Sequence, residues 1–286
     1  MVAESKVVRP GTLYVVATPI GNLEDITFRA VRVLRKVDLV AAEDTRHSRK
    51  LLSHYGIGTA LTSCYAHNEL SKADLLLTRL RGGGTVALIS DAGTPGIADP
   101  GYLLVRLCHE AGIPVVPVPG PAAVITALSV AGQPVDRFAF EGFLPSRATA
   151  RRKALQQLCG ETRTVVCYEA PHRLAATLRD LAELCGPGRS LTVARELTKL
   201  HEELFRGTVA EARAHFGAAP VRGELVLLIA PEPVVAPTET VREALLRQRR
   251  GSTLAPRQIV KAVARELNVA GSDVYQEWLK LQDEEV

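Results

Sequence analysis

The chain has 286 residues, 47% hydrophobic and 23% charged, with a formal net charge of +4. This composition is that of an ordinary globular protein, and no apolar run approaches the roughly 20 residues a membrane helix needs. The amino-terminal MVAESKVVRP lacks an apolar h-region, so it is read as an extension without fixed structure, not a secretory signal, and a cytoplasmic protein is expected.

In chain order, the first 118 residues alternate β-rich runs (12–17, 38–42, 59–64, 85–90 and 114–118) with helical patterns near 25–36, 45–54, 70–81 and 101–111. Strand–helix alternation with near-continuous apolar strands predicts a mostly parallel sheet covered on both faces. A helix is expected over 119–132, after a rigid turn. Strands at 137–143, 162–169, 190–196 and 223–230 then alternate with helices near 148–159, 171–185 and 208–216, which predicts a second α/β domain with a more mixed sheet. Residues 231–240 form a proline-rich linker. Helices at 239–249, 257–267 and 273–282 follow, resembling a small helix-turn-helix unit. The expected domains are therefore 11–118, 119–232 and 238–283.

The five cysteines (Cys64, Cys108, Cys159, Cys167 and Cys185) are odd in number and never in a C-x-x-C pair. Neither a disulfide framework nor structural zinc is expected, and all five are read as small buried apolar residues. Charge is clustered. Arg242, Arg247, Arg249, Arg250, Arg257, Lys261 and Arg265 face one acid, Glu243, and PSRATARRK (145–153) holds Arg147, Arg151, Arg152 and Lys153 with none. Such clusters suit phosphate neutralisation, and a solvated helix face accounts for either one taken alone.

Several familiar signatures fail. The loop after the first strand has Gly21 but not the three spaced glycines of a dinucleotide site, and GGGTVA (82–87) precedes a strand instead of following one. No glycine–lysine pair, paired-histidine zinc helix or G-x-S-x-G elbow occurs. What remains is a set of polar strand-end loops, the place where open α/β sheets bind ligands. These loops carry Glu43, Asp44, Arg46 and His47; Asp91, Thr94 and Asp99; PGPAA (119–123); Tyr168, Glu169, His172 and Arg173; and Arg195, Glu196, Thr198 and Lys199. Each has a local reading: Asp99-Pro100-Gly101 as a turn, Asp44 or Thr45 as a helix cap, His172 and Arg173 as capping or pairing residues. Together they predict one interdomain cleft.

Seven motifs in order, ATPIGNLEDIT, AAEDTRHSRKLL, LISDAGTPGIADPG, PVPGPAA, GFLPSRATARRKALQQL, YEAPHRL and ARELTKLHEELFRGT, resemble the 16S ribosomal RNA (cytidine-2′-O)-methyltransferase family of the tetrapyrrole-methylase superfamily. The likeness spans residues 11–230, and the tail after 238 is similar to that family's small helical domain. The resemblance implies two α/β domains with a C-terminal helix-turn-helix-like domain, a homodimer, and S-adenosylmethionine held in the interdomain cleft. It implies as substrate one cytidine of the 16S rRNA decoding region, in the small ribosomal subunit, methylated on its ribose 2′-hydroxyl. Carried over, Asp91, Gly93, Thr94, Ile97, Pro121, Ala122, Tyr168, Leu197 and Glu224 are expected at the cofactor. Asp44, Glu169 and Glu196 are candidate bases by location, and Lys199 a stabiliser of the developing alkoxide. Arg46, Arg147, Arg151, Arg152, Arg173, Arg249 and Arg250 are expected at rRNA phosphates. A small-molecule tetrapyrrole methylase and a catalytically inactive rRNA-binding assembly factor are the alternatives. The basic clusters and the helical tail weigh against the first, and the intact DAGTPG and YEAPHR loops against the second.

Overall fold

The computed structural model describes residues 8–65, 69–232, 239–251, 254–267 and 269–283. All five early strands form, each trimmed at its ends: β1 Leu13–Val16, β2 Leu39–Ala42, β3 Leu61–Ser63, β4 Val86–Ile89 and β5 Val115–Val118. They make one all-parallel sheet in the order β3-β2-β4-β1-β5. Alternation along each strand divides its apolar residues between two faces. Tyr14, Val16, Val40 and Ile89 pack under α1 (Phe28–Lys36) and α2 (Thr45–His54). Leu13, Ala41, Val86 and Leu88 pack under α3 (Glu69–Arg81) and α4 (Tyr102–Glu110). Each of the first two helices starts on a capping side chain: Thr27 accepts from Ala30 N, and Asp44 from Arg46 N.

β4 follows β3 in sequence but inserts between β2 and β1. The loops leaving β1 and β4 therefore become neighbours at the carboxyl edge of the sheet. They are knitted by Thr18 N donating to Gly93 O (2.8 Å) and Gly93 N to Thr18 O (3.1 Å). This reversal is where an open α/β sheet leaves a crevice.

The second sheet is mixed, as expected: β6 (Phe138–Phe143), β7 (Thr164–Glu169), β10 (Leu225–Ile229), β8 (Ser190–Arg195) and β9 (Glu203–Thr208), with only β6 and β7 parallel. Helices α6 (Ala148–Cys159), α7 (Leu174–Cys185) and α8 (Val209–Gly217) cover one face, while α5 (Ala123–Ala131) lies on the other with Val166, Ala194, Val226 and Leu228. Sequence reading missed β9. Its residues are only half-buried, as suits an edge strand, and ELFRGT shows no apolar alternation to betray it. Both sheets lie in one compact unit, Met1–Glu232, and the helical tail belongs to another, Pro233–Val286.

Two expectations need correction. Cys159 and Cys185 end α6 and α7 and are joined in a disulfide, with Cα atoms 5.0 Å apart. An odd cysteine count and a separation of 26 residues hide this pair, because packing of two helix ends creates it. Cys64, Cys108 and Cys167 are buried thiols, as read; burial pushes Cys108 up to about 11 and Cys167 to about 12. The amino-terminal extension is not wholly without structure. Val8 packs against the first core and Arg9 N donates to Tyr14 Oη (2.8 Å), while residues 1–7 lie outside the described residues. So do 233–238 of the expected linker and the carboxyl-terminal residues 284–286.

The helical unit comprises α9 (Val241–Gly251), α10 (Pro256–Glu266) and α11 (Gly271–Asp283) around Leu245, Ile259, Val263, Val274 and Trp278. Thr240 and Glu243 form a reciprocal capping box at the start of α9. Arg247 bridges Glu239 and Glu266, and Arg249 lies 5.7 Å from the Trp278 ring centroid.

Candidate active site

The carboxyl ends of β6, β7 and β8 and the start of β10 share one edge of the second sheet, and this edge faces the crevice of the first. Between them lies a cavity of about 290 Å³. The β1 and β4 loops contribute Ile20, Ala92, Gly93, Thr94, Ile97 and Asp99. The other wall brings Ala122 and Ala123, Phe143, Tyr168 to Pro171, Ala194, Leu197 and Glu224 to Val226. Small residues at 92, 93, 122, 123, 170 and 194 let a ligand approach the backbone directly. A second cavity, of about 480 Å³, adjoins it and shares Ile20, Ala92 and Glu224.

The loops at this cleft hold strained backbone. Ala98, Glu196 and Thr198, at φ of 63°, 51° and 68°, are the only non-glycine residues with positive φ among the described residues, and all three lie in cleft loops. Gly93, Gly96 and Gly101 supply further positive φ within the DAGTPGIADPG loop. At Gly101 a Cβ would also lie 2.9 Å from Leu88 Cδ2, so only glycine lets the loop fold back over β4. Thr94 Oγ1 donates to Pro121 O (3.1 Å), tying the loop to the α5 side of the cleft.

The cleft is rich in carboxylates. Burial, reinforced by Asp91 and Glu224, raises Asp99 above the ordinary value, and a hydrogen bond from Ser90 opposes the shift. Burial together with Asp99 and Asp91 also raises Glu43. Tyr168 is pushed up to about 12 by burial and by Asp99, so its hydroxyl stays neutral. Lys199 is held between Glu196 (2.9 Å) and Glu224 (3.0 Å). Burial works against its charge, but these bonds outweigh that and its pKa is raised. An apolar cavity rimmed by Asp99 and Glu224 suits a partly apolar cation.

The structure distributes the expected site residues unevenly. Gly93, Thr94, Ile97, Ala122, Tyr168, Leu197 and Glu224 line the first cavity; Asp91 lines the second, and Pro121 meets the loop through its carbonyl. Of the candidate catalytic groups, Lys199 lines the second cavity. Asp44 lines neither: it caps α2 and pairs with Arg46, whose hydrogen bonds hold its carboxyl down at about 2, the wrong direction for a base. Glu169 borders the first cavity, but its carboxylate accepts from Ala170 N, Arg173 Nε and Thr177 Oγ1. That is a structural network, not a poised base.

Among the arginines expected on RNA, Arg151 is a correction. It is buried against Asp180 at 2.8 Å and cannot reach a phosphate. Arg152 is drawn to Asp180 and Glu183, and Arg173 to Glu169. Arg46 and Arg147 are exposed. Sequence reading missed Ile20 and Phe143. Ile20 is an apolar residue inside the polar loop TPIGN, a signal that was present; Phe143 only ends a strand, and nothing in its spacing singles it out.

The Tetrapyrrole (Corrin/Porphyrin) Methylases family matches residues 12–213. Solved structures agree at the level of fold. A uroporphyrin-III-C-methyltransferase from Thermus thermophilus superposes with a TM-score of 0.56 at 23% identity, covering 76% of this chain and 94% of that one. A cobalt precorrin-4 methyltransferase does so at 0.58 and 17%, covering 77% and 95%. The family match, with the fold in agreement, thus places the chain in the class of methylases of the tetrapyrrole-methylase type. Among curated relatives, "Ribosomal RNA small subunit methyltransferase I" of Synechocystis sp. is 48% identical over 275 residues, 95% of this chain and 99% of the relative. The protein of that name from Escherichia coli O157:H7 is 53% identical over 221 residues, 77% of each chain. The chain belongs to the ribosomal RNA small subunit methyltransferase I family, within the tetrapyrrole methylases.

Proposed function

We propose that the protein methylates the ribose 2′-hydroxyl of one cytidine in the decoding region of 16S rRNA, with S-adenosylmethionine as methyl donor and the small ribosomal subunit as substrate. The observation that carries this reading is the 48% identity to a ribosomal RNA small subunit methyltransferase I along 275 residues, the helical unit included. The cleft supports it. The small residues of the first cavity admit a folded nucleoside, Tyr168 and Phe143 offer aromatic faces, and Asp99 and Glu224 offer carboxylates to cationic groups. S-adenosylmethionine supplies an electrophilic methyl group on a sulfonium, which departs as a neutral thioether.

The protein's part is chiefly placement. Holding the hydroxyl oxygen in line with the methyl carbon accounts for most of the acceleration. Lys199, kept cationic by its two carboxylates, stands beside the cavity boundary and steadies negative charge developing on the oxygen. The departing proton has a carboxylate acceptor there in Glu224, which lines both cavities. A cytoplasmic location and a homodimer belong to the same proposal. In support, no helix among the described residues is long and apolar enough to cross a membrane, and Ile125 and Val130 of α5 leave apolar surface exposed for a second copy.

Incubation with labelled S-adenosylmethionine and unmodified small subunits, followed by mass-spectrometric mapping, tests the reading. A single 2′-O-methylcytidine in the decoding region is expected. Binding of S-adenosylmethionine with no label on rRNA overturns it.

A further inference from the structure

We propose that the second cavity is the acceptor pocket: it takes a nucleoside turned out of an RNA strand, Ser48 hydrogen-bonds that nucleoside, and His47 and Lys50 hold the adjoining phosphates. The proposal rests on the methyltransferase reading above and adds to it the site at which the RNA is engaged.

Three observations converge. The cavity, of about 480 Å³, opens beside the first and shares Ile20, Ala92 and Glu224 with it, so an occupant of one meets an occupant of the other. A hydroxyl to be methylated must sit at such a shared boundary; Lys199 lines the second cavity and is bonded to Glu224, which lines both. Second, Ser48 lines this cavity at 2% exposure, and its Oγ has no hydrogen-bond partner. Buried hydroxyls are normally satisfied, and one without a partner beside a cavity is set up to bond what enters. Neither the fold nor the first cavity accounts for it.

Third, charge is arranged by depth. His47 and Lys50 lie three residues apart on α2, line the cavity and are exposed. Asp91, deeper in the β4 loop, lines it too; one of its oxygens accepts from Asp44 N (2.9 Å). A lysine and an imidazole N–H at the mouth suit a phosphodiester backbone, and a carboxylate within suits the exocyclic amino group of cytosine. Enzymes that modify a base turn it out of its stack, and a ribose hydroxyl that enters a cavity brings its base with it; this cavity supplies both the room and the polarity.

The test uses the full-length protein with Lys50→Glu and, separately, Ser48→Ala. Affinity for S-adenosylmethionine is measured by calorimetry, and KM and kcat on small subunits at several salt concentrations. Lys50→Glu is expected to raise KM for the subunit roughly tenfold and make the salt slope shallower by about 1, with cofactor affinity unchanged. Ser48→Ala is expected to lower kcat/KM on subunits by a similar factor. Wild-type KM and kcat in both variants, or an equal loss of cofactor affinity, overturns the proposal. Binding of cytidine 3′,5′-bisphosphate by saturation-transfer NMR in the presence of S-adenosylhomocysteine needs no turnover. Binding that Lys50→Glu abolishes supports the pocket even if subunits are not methylated; no binding, or binding indifferent to the variant, overturns it.

Discussion

Gly21 and Lys199 meet across the cleft so closely that a Cβ on Gly21 would lie 2.4 Å from Lys199 Cγ, with Thr198 Oγ1 at 2.8 Å and Leu197 O at 3.0 Å. Asn22 N also donates to Thr198 Oγ1 (3.1 Å), so the loop after β1 is fastened to the loop after β8. Gly21 is thus the lone glycine of a failed dinucleotide fingerprint, required here for contact between the two walls. The lysine can shift, but the Leu197 carbonyl cannot without moving its loop. Gly21→Ala is therefore expected to cost about 1–3 kcal/mol as an overpacked contact and to weaken S-adenosylmethionine binding. Thermal melts and calorimetry check it; unchanged cofactor affinity would show that the two loops are not coupled.

Asp99 gives the cleft a pH signature. Burial, with Asp91 and Glu224, raises its folded pKa above the ordinary 3.8. In the free protein the stability from the protonated carboxyl is fully present below 3.8 and is lost as pH rises through the folded value. A bound cation prefers the ionised form, so binding releases a proton, and affinity for S-adenosylmethionine should tighten as pH rises through that raised value. Asp99→Asn should weaken binding and flatten the profile. Calorimetry across the acidic range in two buffers of different ionisation enthalpy measures both affinity and proton release. A profile equally steep in the variant would remove Asp99 from the cofactor site.

Glu169 makes a contrasting case, because its environment commits it to structure. Its side chain is fully buried and bound to Arg173 and Thr177, which fixes the EAPHR turn against the first cavity. Removing one partner of a buried pair costs about 3–5 kcal/mol, so Glu169→Ala should melt at a distinctly lower temperature. Glu169→Gln keeps one oxygen to accept from Ala170 N and Arg173 Nε, with its amide N–H facing Thr177 Oγ1 as a donor, and should keep the shape of the pH–rate profile. A pH–rate profile that loses a limb in that variant would restore Glu169 as the base.

Sequence carried the parallel sheet and the cleft loops because both rest on local signals: apolar runs at β1, β2, β4 and β5, and polar residues placed just after them. It could not show that β4 returns between β2 and β1, which brings Thr18 to Gly93. Asp44 and Glu169, read as candidate bases, and Arg151, read as a phosphate contact, are each engaged by a partner that sequence hides for one physical reason. A charged residue at a strand or helix end reads alike whether it faces a cleft or a partner, and Arg46, Asp180 and Arg173 are partners that only tertiary structure supplies. Ser48 escaped notice for the converse reason, since a serine inside TRHSRK gives no sign that its hydroxyl is buried without a partner.

The Cys159–Cys185 bridge ties the ends of α6 and α7 over a separation of 26 residues. A closed loop of that length is worth about 3.5 kcal/mol in the chain-entropy account. Adding a reductant should lower the melting temperature of the wild type and leave the Cys159→Ser, Cys185→Ser double variant unmoved. In a glutathione-buffered compartment, occupancy of the bridge turns on its reduction potential. Equal melting with and without reductant, in protein whose thiols have been counted, would show that the bridge contributes nothing to stability.

The basic tail separates into residues with different duties. Arg247 is engaged by Glu239 and Glu266, and Arg249, itself exposed, lies over the ring of the core residue Trp278. Reversing Arg249 therefore perturbs packing as well as charge, by about 0.5–1 kcal/mol for a partly exposed cation–π contact. Arg250, exposed on the last turn of α9, is the cleaner probe. Arg250→Glu is expected to weaken binding to small subunits uniformly and to make its salt dependence shallower by about 1, as loss of a phosphate contact does, with cofactor affinity and melting unchanged. Arg249→Glu should weaken RNA binding and lower the melting temperature together. If Arg250→Glu binds subunits like the wild type at every salt concentration, Arg250 does not contact RNA, and the same measurement on Lys50→Glu and Arg147→Glu then locates the phosphate contacts.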